Sequence, residues 1–275
     1  SHDHLDYHKN LEEYLNAKLY LFKNLIKNKG TVITDLNIPQ FKKLRKLVIK
    51  KKLKLLTISD QGSDLELISH EFRNDQQILT IREKNKKKII KLNLNLIGKI
   101  QIKNILMAIL AAIKSGLDMN SIAKSITKLR SPEGRLEKIG KLKNNSKVIL
   151  DFAHTPDALK TILINIKEQF PSKKISLVFG CGGDRDKAKR SKMGRIASKF
   201  ADIIYLTDDN PRSENPKKIR NEIKKGINKK EIREISNRGK AISTCINNLF
   251  SGDIAIIAGK GHEMTQNYDG KKFFF

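Results

Sequence analysis

Four short segments combine glycines with charged and amide side chains, a mixture that could bind a small anionic or zwitterionic ligand. They are DFAHTPD (151–157), GCGGDRDK (180–187), DDNPR (208–212) and GKGHE (259–263). Glycines let the main chain approach a ligand and expose N–H groups to anions. An arginine offers a planar fork of donors that suits a carboxylate or a phosphate. Each segment taken alone could equally be an ordinary turn, so their placement in the fold decides between the two interpretations.

The DNPR segment could recognise an amino-acid head group. Asn210 and Arg212 stand two residues apart on either side of a stiffening Pro211. The amide would meet polar atoms and the guanidinium a carboxylate. Arg185 adds a second guanidinium in the glycine-rich loop, and Glu263 could receive an ammonium group.

The start of the sequence contains a possible metal site. Three of the six histidines lie within eight residues, interleaved with two aspartates: His2, His4 and His8 with Asp3 and Asp6. Imidazole and carboxylate groups are ordinary metal ligands. A tag remnant is the alternative, but the interleaved Asp, Leu and Tyr residues argue against it.

Lys18 is a second unusual residue. It follows Leu11 by seven positions and Tyr14 by four, so it is predicted to share the face of buried apolar residues on a helix. A lysine there is costly unless it has a function. Snorkelling of the ammonium to solvent is the alternative.

Composition restricts the class of protein. Of 275 residues, 39% are hydrophobic, enough for a packed core. The net charge of +27 indicates anionic partners, but Trp is absent and aromatic residues make up only 6%, which disfavours a nucleic-acid-binding module. Two cysteines exclude a disulfide framework, and no apolar run approaches the length of about 20 residues that a membrane span needs. We expect a cytoplasmic protein that neither inserts into a membrane nor binds nucleic acid.

Periodicity divides the chain near residue 130, where Pro132 and Gly134 would break a helix. The first part is predicted to contain helices at 10–28, 38–51, 101–115 and 119–128, a strand at 31–34, and short β-rich runs over 54–97. In the second part, apolar strands at 147–151, 174–180, 202–207, 231–236 and 253–259 alternate with helices near 156–169, 186–200, 216–227 and 238–249. This alternation predicts an α/β fold with a doubly wound, mostly parallel sheet.

The predicted sheet gives the four polar segments a common location. Each directly follows a strand, and ligands of such sheets bind beyond the carboxyl ends of the strands. Four polar loops at one edge therefore indicate an active-site face.

Six strings in order resemble the Mur ligase family. They are DHLDYH…YLNAK (3–18), GRLE (134–137), DFAHTPDAL (151–159), FGCGGDRDKAKR (179–190), TDDNPR (207–212) and AGKGHE (258–263). The resemblance implies the latter part of a central ATPase domain over residues 1–129 and a C-terminal ligase domain, which binds the amino acid, over residues 130–275. It covers nearly the whole chain.

The resemblance implies an ATP-dependent ligase of peptidoglycan precursor synthesis. Such enzymes form an acyl phosphate on a UDP-N-acetylmuramoyl peptide, and an incoming amine then displaces phosphate. It further implies Mg²⁺ held by His4 and by Lys18 as a carbamate, whose anionic oxygens suit this hard cation. The ATP contacts that it implies are Asn104, Arg135, Asp151 and His154.

The DNPR string, by the same resemblance, implies meso-diaminopimelate as the added amino acid and UDP-N-acetylmuramoyl-L-alanyl-D-glutamate as its acceptor. The implied substrate-binding residues are Arg185, Asp209, Asn210, Arg212, Gly259 and Glu263. The distal end of diaminopimelate carries a carboxylate that lysine lacks, and lysine would leave buried arginines unpaired. The alternatives are a lysine-adding ligase, which DNPR disfavours, and a folylpolyglutamate-type ligase, which GCGGDRD together with DNPR disfavours.

Three departures from the family pattern accompany the resemblance. The phosphate-binding GKT/S loop and the UDP-binding N-terminal domain do not occur in these residues, and Gln101 stands where an Asn is usual. The chain opens with Ser1 and stops at an apolar Phe273–Phe275 run. We therefore expect a fragment that is inactive by itself. We also expect the enzyme to be a monomer.

Overall fold

The computed structural model describes residues 10–73, 75–84, 89–142, 144–228 and 231–275. The chain folds into two compact units, Ser1–Leu129 and Arg130–Phe275. Within the described ranges, no helix is long and apolar enough to cross a membrane.

The first unit contains one mixed sheet and helices that pack on it. The helices are α1 (Leu11–Tyr20), α2 (Phe41–Lys50), α3 (Ile100–Lys114) and α4 (Met119–Ile126). The strands are β1 (Thr31–Asp35), β2 (Lys54–Ser59), β3 (Leu65–Arg73), β4 (Gln76–Glu83) and β5 (Ile89–Leu94). The sheet order is β1-β2-β3-β4-β5, with parallel pairing from β1 to β3 and antiparallel pairing from β3 to β5.

The core of this unit forms where α3 and α4 cover the sheet. On β4, Leu79 and Ile81 are fully buried because alternate residues of a strand point to the same face. They join a cluster with Ile105 and Ile109 of α3 and Ile122 of α4. The helical spacing of these isoleucines places them on the face that meets the sheet.

The second unit is a doubly wound α/β domain. Its strands are β6 (Glu137–Lys141), β7 (Lys147–Asp151), β8 (Ile175–Phe179), β9 (Ile203–Leu206), β10 (Glu231–Glu234) and β11 (Ile254–Ala258), followed by β12 (Thr265–Tyr268) and β13 (Lys271–Phe274). Its helices are α5 (Pro156–Gln169), α6 (Ala188–Phe200), α7 (Pro216–Lys224) and α8 (Arg238–Asn247). The main sheet has the order β10-β9-β8-β11-β7-β6, parallel except at β6, and β12 pairs with β13 in a separate hairpin.

The central strands of this sheet are buried on both faces. Every residue of β8 and β11 is buried. Val178 packs with Ala241 and Cys245 of α8 on one face, and its neighbours Leu177 and Phe179 point to the other. The predicted α/β class with a mostly parallel sheet is confirmed.

The structure differs from the sequence prediction at a few elements. The first helix ends earlier than residue 28: a π-helical turn, Leu21–Leu25, follows α1, and Ile26 is extended. The antiparallel edge strand β6 and the β12–β13 hairpin were not predicted. These strands are short, and β13 is exposed at every residue, so no apolar alternation marked it.

Candidate active site

The loops that follow β7, β8, β9 and β11 meet at the carboxyl edge of the second unit's sheet. The Gly259 amide donates to the Asp151 carbonyl at 3.0 Å, joining the loops after β11 and β7. The Gly183 amide donates to the Asn210 carbonyl at 2.8 Å, joining the loops after β8 and β9. Parallel strands produce this convergence because all of their carboxyl ends lie at one edge.

Gly183 lets the loop after β8 pack directly against the DNPR loop. A Cβ atom at this position would lie 1.9 Å from the carbonyl oxygen of Pro211. The close approach brings Nη1 of Arg212 to 2.6 Å from the Gly183 carbonyl, to which it donates. Arg212 itself has a φ of 52°, a left-handed conformation that few non-glycine residues adopt.

A buried ion-pair network supports the glycine-rich loop. Arg190 of α6 is completely buried and donates to both carboxylate oxygens of Glu214, at 2.8 and 3.0 Å, and to the Gly182 carbonyl at 3.2 Å. Glu214 also accepts from the Asp184 amide at 2.7 Å. The hydrogen bonds from Arg190 lower the pKa of Glu214 to about 2, against the cost of burial. Sequence reasoning missed Arg190, although it shares a helical stripe with the buried Met193 and Ala197.

Arg185 lies in the same loop and is exposed, so the expected burial of the substrate-binding arginines is wrong for this residue. The carboxylate of its neighbour Asp184 accepts from both the hydroxyl and the amide of Ser213, at 2.7 and 3.1 Å. Arg185 and Arg212, the two arginines predicted to bind substrate, therefore lie on loops that are bonded to each other.

Asn210, Lys260 and Glu263 form one hydrogen-bonded cluster. The Lys260 ammonium donates to Asn210 Oδ1 at 2.8 Å and to Glu263 Oε2 at 2.9 Å. Asn210 Nδ2 donates to the same Glu263 oxygen at 3.3 Å. Burial raises the pKa of Glu263, but the hydrogen bond and charge of Lys260 outweigh it, so the pKa lies below its usual value. Lys260 lies within a string that the sequence singled out, yet it was not among the predicted site residues.

Asp209 and Gly259 lie against each other beneath this cluster. A Cβ atom on Gly259, whose φ is +109°, would lie 2.9 Å from Asp209 Oδ2. Asp209 is buried, and its Oδ1 accepts from the Asn210 amide at 2.7 Å. The carboxylate therefore shapes the DNPR turn.

Asp208, one residue earlier, borders an open cavity of about 490 Å³ on the β10 side of the sheet. It is ion-paired with Arg220 and accepts from the Tyr268 hydroxyl at 3.0 Å. The cavity is also lined by Lys217 and Asn237. The predicted substrate-binding residues do not line it.

Asp151 holds a backbone turn together at the end of β7. Its carboxylate accepts from the Leu136 amide at 2.8 Å and from the Ala153 amide at 2.7 Å. Burial raises its pKa, although these two bonds and the charge of Arg135 act in the opposite direction. These two amides give Asp151 a structural role that the sequence analysis did not predict.

The Phe152 ring lies at the same edge of the sheet, among Arg135, His154 and His262. The Arg135 guanidinium lies 5.0 Å from the centre of the Phe152 ring, and His262 stacks on that ring at 6.1 Å with an interplanar angle of 13°. His154 meets Phe152 edge-on at 4.9 Å. Arg135 and His154, predicted to contact ATP, are thus neighbours, whereas Phe152 and His262 were missed.

The remaining predicted residues belong to the first unit or lie outside the described residues. Asn104 of α3 is exposed. His4 lies outside the described residues, and the described ranges contain no group of three or more His, Cys, Asp or Glu side chains that could hold a metal ion.

The predicted burial of Lys18 is wrong. Lys18 is exposed, and its ammonium lies 4.9 Å from the centre of the Tyr14 ring. Leu11 is 53% exposed, whereas Leu19 is buried with Leu15 packed against the same cluster. The apolar face of α1 is therefore rotated away from Lys18, and the ammonium group stays in contact with solvent without a burial cost.

Sequence reasoning also missed an ion pair in the first unit. Asp35 at the end of β1 is buried, and it accepts from the Lys103 ammonium at 2.5 Å. Lys103 precedes Asn104 on α3, so this pair fixes the first turns of that helix against the end of β1.

Two family models match the chain. The Mur ligase middle domain matches residues 1–112, and the Mur ligase glutamate ligase domain matches residues 134–261. The chain belongs to the Mur ligase family. Its glycine-rich and DNPR loops are therefore part of a Mur ligase C-terminal domain.

Curated relatives of this Mur ligase chain share one name. A UDP-N-acetylmuramoyl-L-alanyl-D-glutamate–2,6-diaminopimelate ligase from Rickettsia montanensis is 41% identical over 276 residues, which is all of this chain and 56% of the relative. A ligase of the same name from Chelativorans sp. is 37% identical and matches 99% of this chain and 56% of its own length. The chain thus spans a little over half the length of these relatives.

Solved structures agree with the fold. A structure of a ligase with the same name superimposes with a TM-score of 0.70 at 32% identity, over all of this chain and 56% of that one. A MurF ligase from Thermotoga maritima in complex with ADP superimposes with a TM-score of 0.71 at 19% identity, over 93% of this chain and 56% of that one. The second likeness concerns the fold alone.

Proposed function

We propose that this chain is part of an ATP-dependent ligase that joins meso-diaminopimelate to UDP-N-acetylmuramoyl-L-alanyl-D-glutamate in peptidoglycan precursor synthesis. The names of the curated relatives and the 41% identity support this function. The observation that supports it best is that hydrogen-bonded loops at one edge of the sheet carry both the Arg212 guanidinium, which donates to the Gly183 carbonyl, and the cluster of Asn210, Lys260 and Glu263.

The site has complementary charges for one end of diaminopimelate. Arg212 and Arg185 would bind its distal carboxylate, and Glu263 its ammonium. Glu263 is ionised at neutral pH because its pKa is lowered, so it presents a negative charge to that ammonium. Lysine would satisfy Glu263 but not the arginines, which predicts discrimination against it.

The residues around the carboxyl end of β7 would bind ATP. Arg135 is exposed, and its guanidinium would bind a phosphate oxygen. Asp151 accepts from the Leu136 amide and so holds Arg135 in its turn, with His154 beside it. The family resemblance also implies an ATP contact for Asn104, which is exposed on α3. Phosphoryl transfer from ATP to the peptide carboxylate would give an acyl phosphate and ADP. The diaminopimelate amine would then attack the acyl carbon, form the amide bond, lose a proton and displace inorganic phosphate.

The first unit would contribute to Mg²⁺ binding. Lys18 is exposed, so its amine is accessible to carbon dioxide. Loss of a proton from the ammonium, and addition of carbon dioxide to the amine with release of a second proton, would give a carbamate. Its anionic oxygens would suit Mg²⁺, and His4 would supply an imidazole ligand. A bound Mg²⁺ would neutralise charge on the phosphates during transfer.

The cellular setting belongs to the same proposal. We place the reaction in the cytoplasm, carried out by a monomer that neither binds nucleic acid nor inserts into a membrane. Both cysteines are buried and unpaired, as expected in a reducing compartment.

Calorimetric titration of the chain with meso-diaminopimelate and with L-lysine tests the substrate. We expect heat of binding with diaminopimelate only, and at least a tenfold loss of affinity in Arg212→Ala, because the distal carboxylate loses a charged partner. Arg195→Ala, which changes an exposed arginine of α6 away from these loops, is the matched control and should bind like the wild type. Equal binding of both amino acids would contradict the diaminopimelate assignment, and no binding of either would contradict an amino-acid pocket in this chain.

A further inference from the structure

Lys260 is a buried lysine whose ammonium group is fully hydrogen-bonded. Only 1% of the residue is exposed. Its three donors reach Asn210 Oδ1 at 2.8 Å, Glu263 Oε2 at 2.9 Å and the Thr265 carbonyl at 2.7 Å. A lysine is buried to this extent only when its charge is paired and its hydrogens are accepted.

Lys260 determines which way the Asn210 amide faces. The amide atom that meets Lys260 also meets the backbone N–H of Asn267, at 2.9 Å. Both of these groups can only donate, so the atom between them must be the oxygen. The NH₂ group of Asn210 is consequently turned toward Glu263, where Nδ2 donates to Oε2 at 3.3 Å.

The same lysine orients the Glu263 carboxylate. Oε2 accepts from both Lys260 and Asn210, and within the described residues Oε1 accepts no hydrogen bond. The Glu263 side chain is 40% exposed, so Oε1 can meet a ligand. Among the described residues, Arg238 and His262 also interact electrostatically with this carboxylate, and no hydrogen bond joins either of them to it.

We propose that Lys260 is a positioning residue that sets the polarity of the amino-acid pocket, with Asn210 as a donor and Glu263 as an acceptor. A ligand that places a carboxylate or carbonyl oxygen at Asn210 and an ammonium at Glu263 satisfies this arrangement. A ligand that places hydrogen-bond donors at both Asn210 and Glu263 does not satisfy it. The assignment rests on the proposed function, because it names how the same pocket distinguishes a zwitterionic amino acid.

A double-mutant cycle on diaminopimelate binding tests the role of Lys260. Lys260→Met keeps the length of the side chain and removes the charge and the donors, and we expect about a 30-fold loss of affinity. In the Glu263→Gln background the same substitution should lower the affinity for diaminopimelate by less than about fivefold. The reason is that Lys260 acts through the Glu263 carboxylate, which this background lacks. A structural role alone would give equal losses in both backgrounds, and that result would overturn the proposal.

The controls separate this proposal from misfolding and from a failure of the proposed function. Lys271→Met changes an exposed lysine of β13 and should leave the affinity unchanged. If circular dichroism shows that Lys260→Met does not fold, Lys260→Gln takes its place, because it keeps a donor for Asn210 without the charge. The loss of affinity should again be larger in the wild-type background than in the Glu263→Gln background. A wild type that does not bind diaminopimelate contradicts the proposed function itself. A wild type that binds it, with Lys260 variants that bind equally well, overturns only the assignment of Lys260.

Discussion

Buried charged residues at the carboxyl edge of the second unit's sheet organise the loops that carry the predicted site. Arg190 holds Glu214 and the Gly182 carbonyl, and Asp151 holds the amides of Leu136 and Ala153. Each of these groups loses solvation when it is buried, and hydrogen bonds to fixed partners compensate for that loss. These buried groups therefore fix the backbone beside exposed residues such as Arg185 and Arg135.

Glu214→Gln should destabilise the protein in a pH-dependent way. The variant leaves the buried Arg190 with one charged partner fewer, so we expect a loss of about 2 kcal/mol in the free energy of unfolding at pH 7. The folded pKa of Glu214 is lowered from 4.5 to about 2, so the stabilisation is complete above about pH 4.5 and is lost as the pH falls toward 2.

Urea unfolding of the wild type and Glu214→Gln between pH 7 and pH 3 measures this difference. The difference in the free energy of unfolding between the two proteins should become smaller as the pH falls below about 4.5. Glu133→Gln, at an exposed glutamate, should unfold like the wild type at each pH. A gap that stays constant with pH would show that the carboxylate charge is not what Arg190 requires.

At the scale of elements, the glycine-rich loop and the DNPR loop form a single surface because backbone meets backbone without intervening side chains. Gly183 is the position where this packing is tightest. Gly140 offers a contrast, since a Cβ there would meet no atom within 4 Å and its φ is not positive.

Gly183→Ala should separate the two loops. The added methyl group would collide with the Pro211 carbonyl, so Arg212 must move, and we expect a stability loss of about 1–3 kcal/mol. Diaminopimelate affinity should fall at the same time. Thermal unfolding and calorimetry check both effects, and Gly140→Ala is the matched substitution that should change neither. Wild-type behaviour of Gly183→Ala would mean that the two loops are not in direct backbone contact.

At the scale of the whole molecule, the net charge of +27 has no focused location in the sequence. The predicted site contains acidic as well as basic groups, and its acidic residues are Asp151, Asp209 and Glu263. A charge spread over two units gives solubility and weak attraction to anions rather than a groove for a nucleic-acid backbone.

The protein should therefore show no saturable binding to duplex DNA at a salt concentration of about 150 mM. Fluorescence anisotropy with a labelled duplex of about 20 base pairs, repeated from about 50 to 200 mM salt, measures this. Weak binding at the lowest salt is compatible with the ligase function. Tight binding, with an affinity that falls steeply as the salt concentration rises, would favour the nucleic-acid-binding alternative.

The sequence alone determined the class of the fold and the segments of the candidate site. Strand–helix alternation is a local property of the chain, so the parallel strands and their helices could be predicted within a few residues of their observed ends. The four polar segments could be assigned to one edge for the same reason, because a parallel sheet leaves little choice in where the carboxyl ends lie.

Only the tertiary structure decided which side chains are buried and which residues contact each other. The exposure of Lys18 depends on which side of α1 packs against its neighbours, and nearby apolar residues made the wrong side plausible. Lys260 and Arg190 gain their roles from partners that are far away in sequence, such as Asn210 and Glu214. Spacing along the chain carries no information about such partners, because a hydrogen bond depends on distances of a few tenths of an ångström that only the packed loops define.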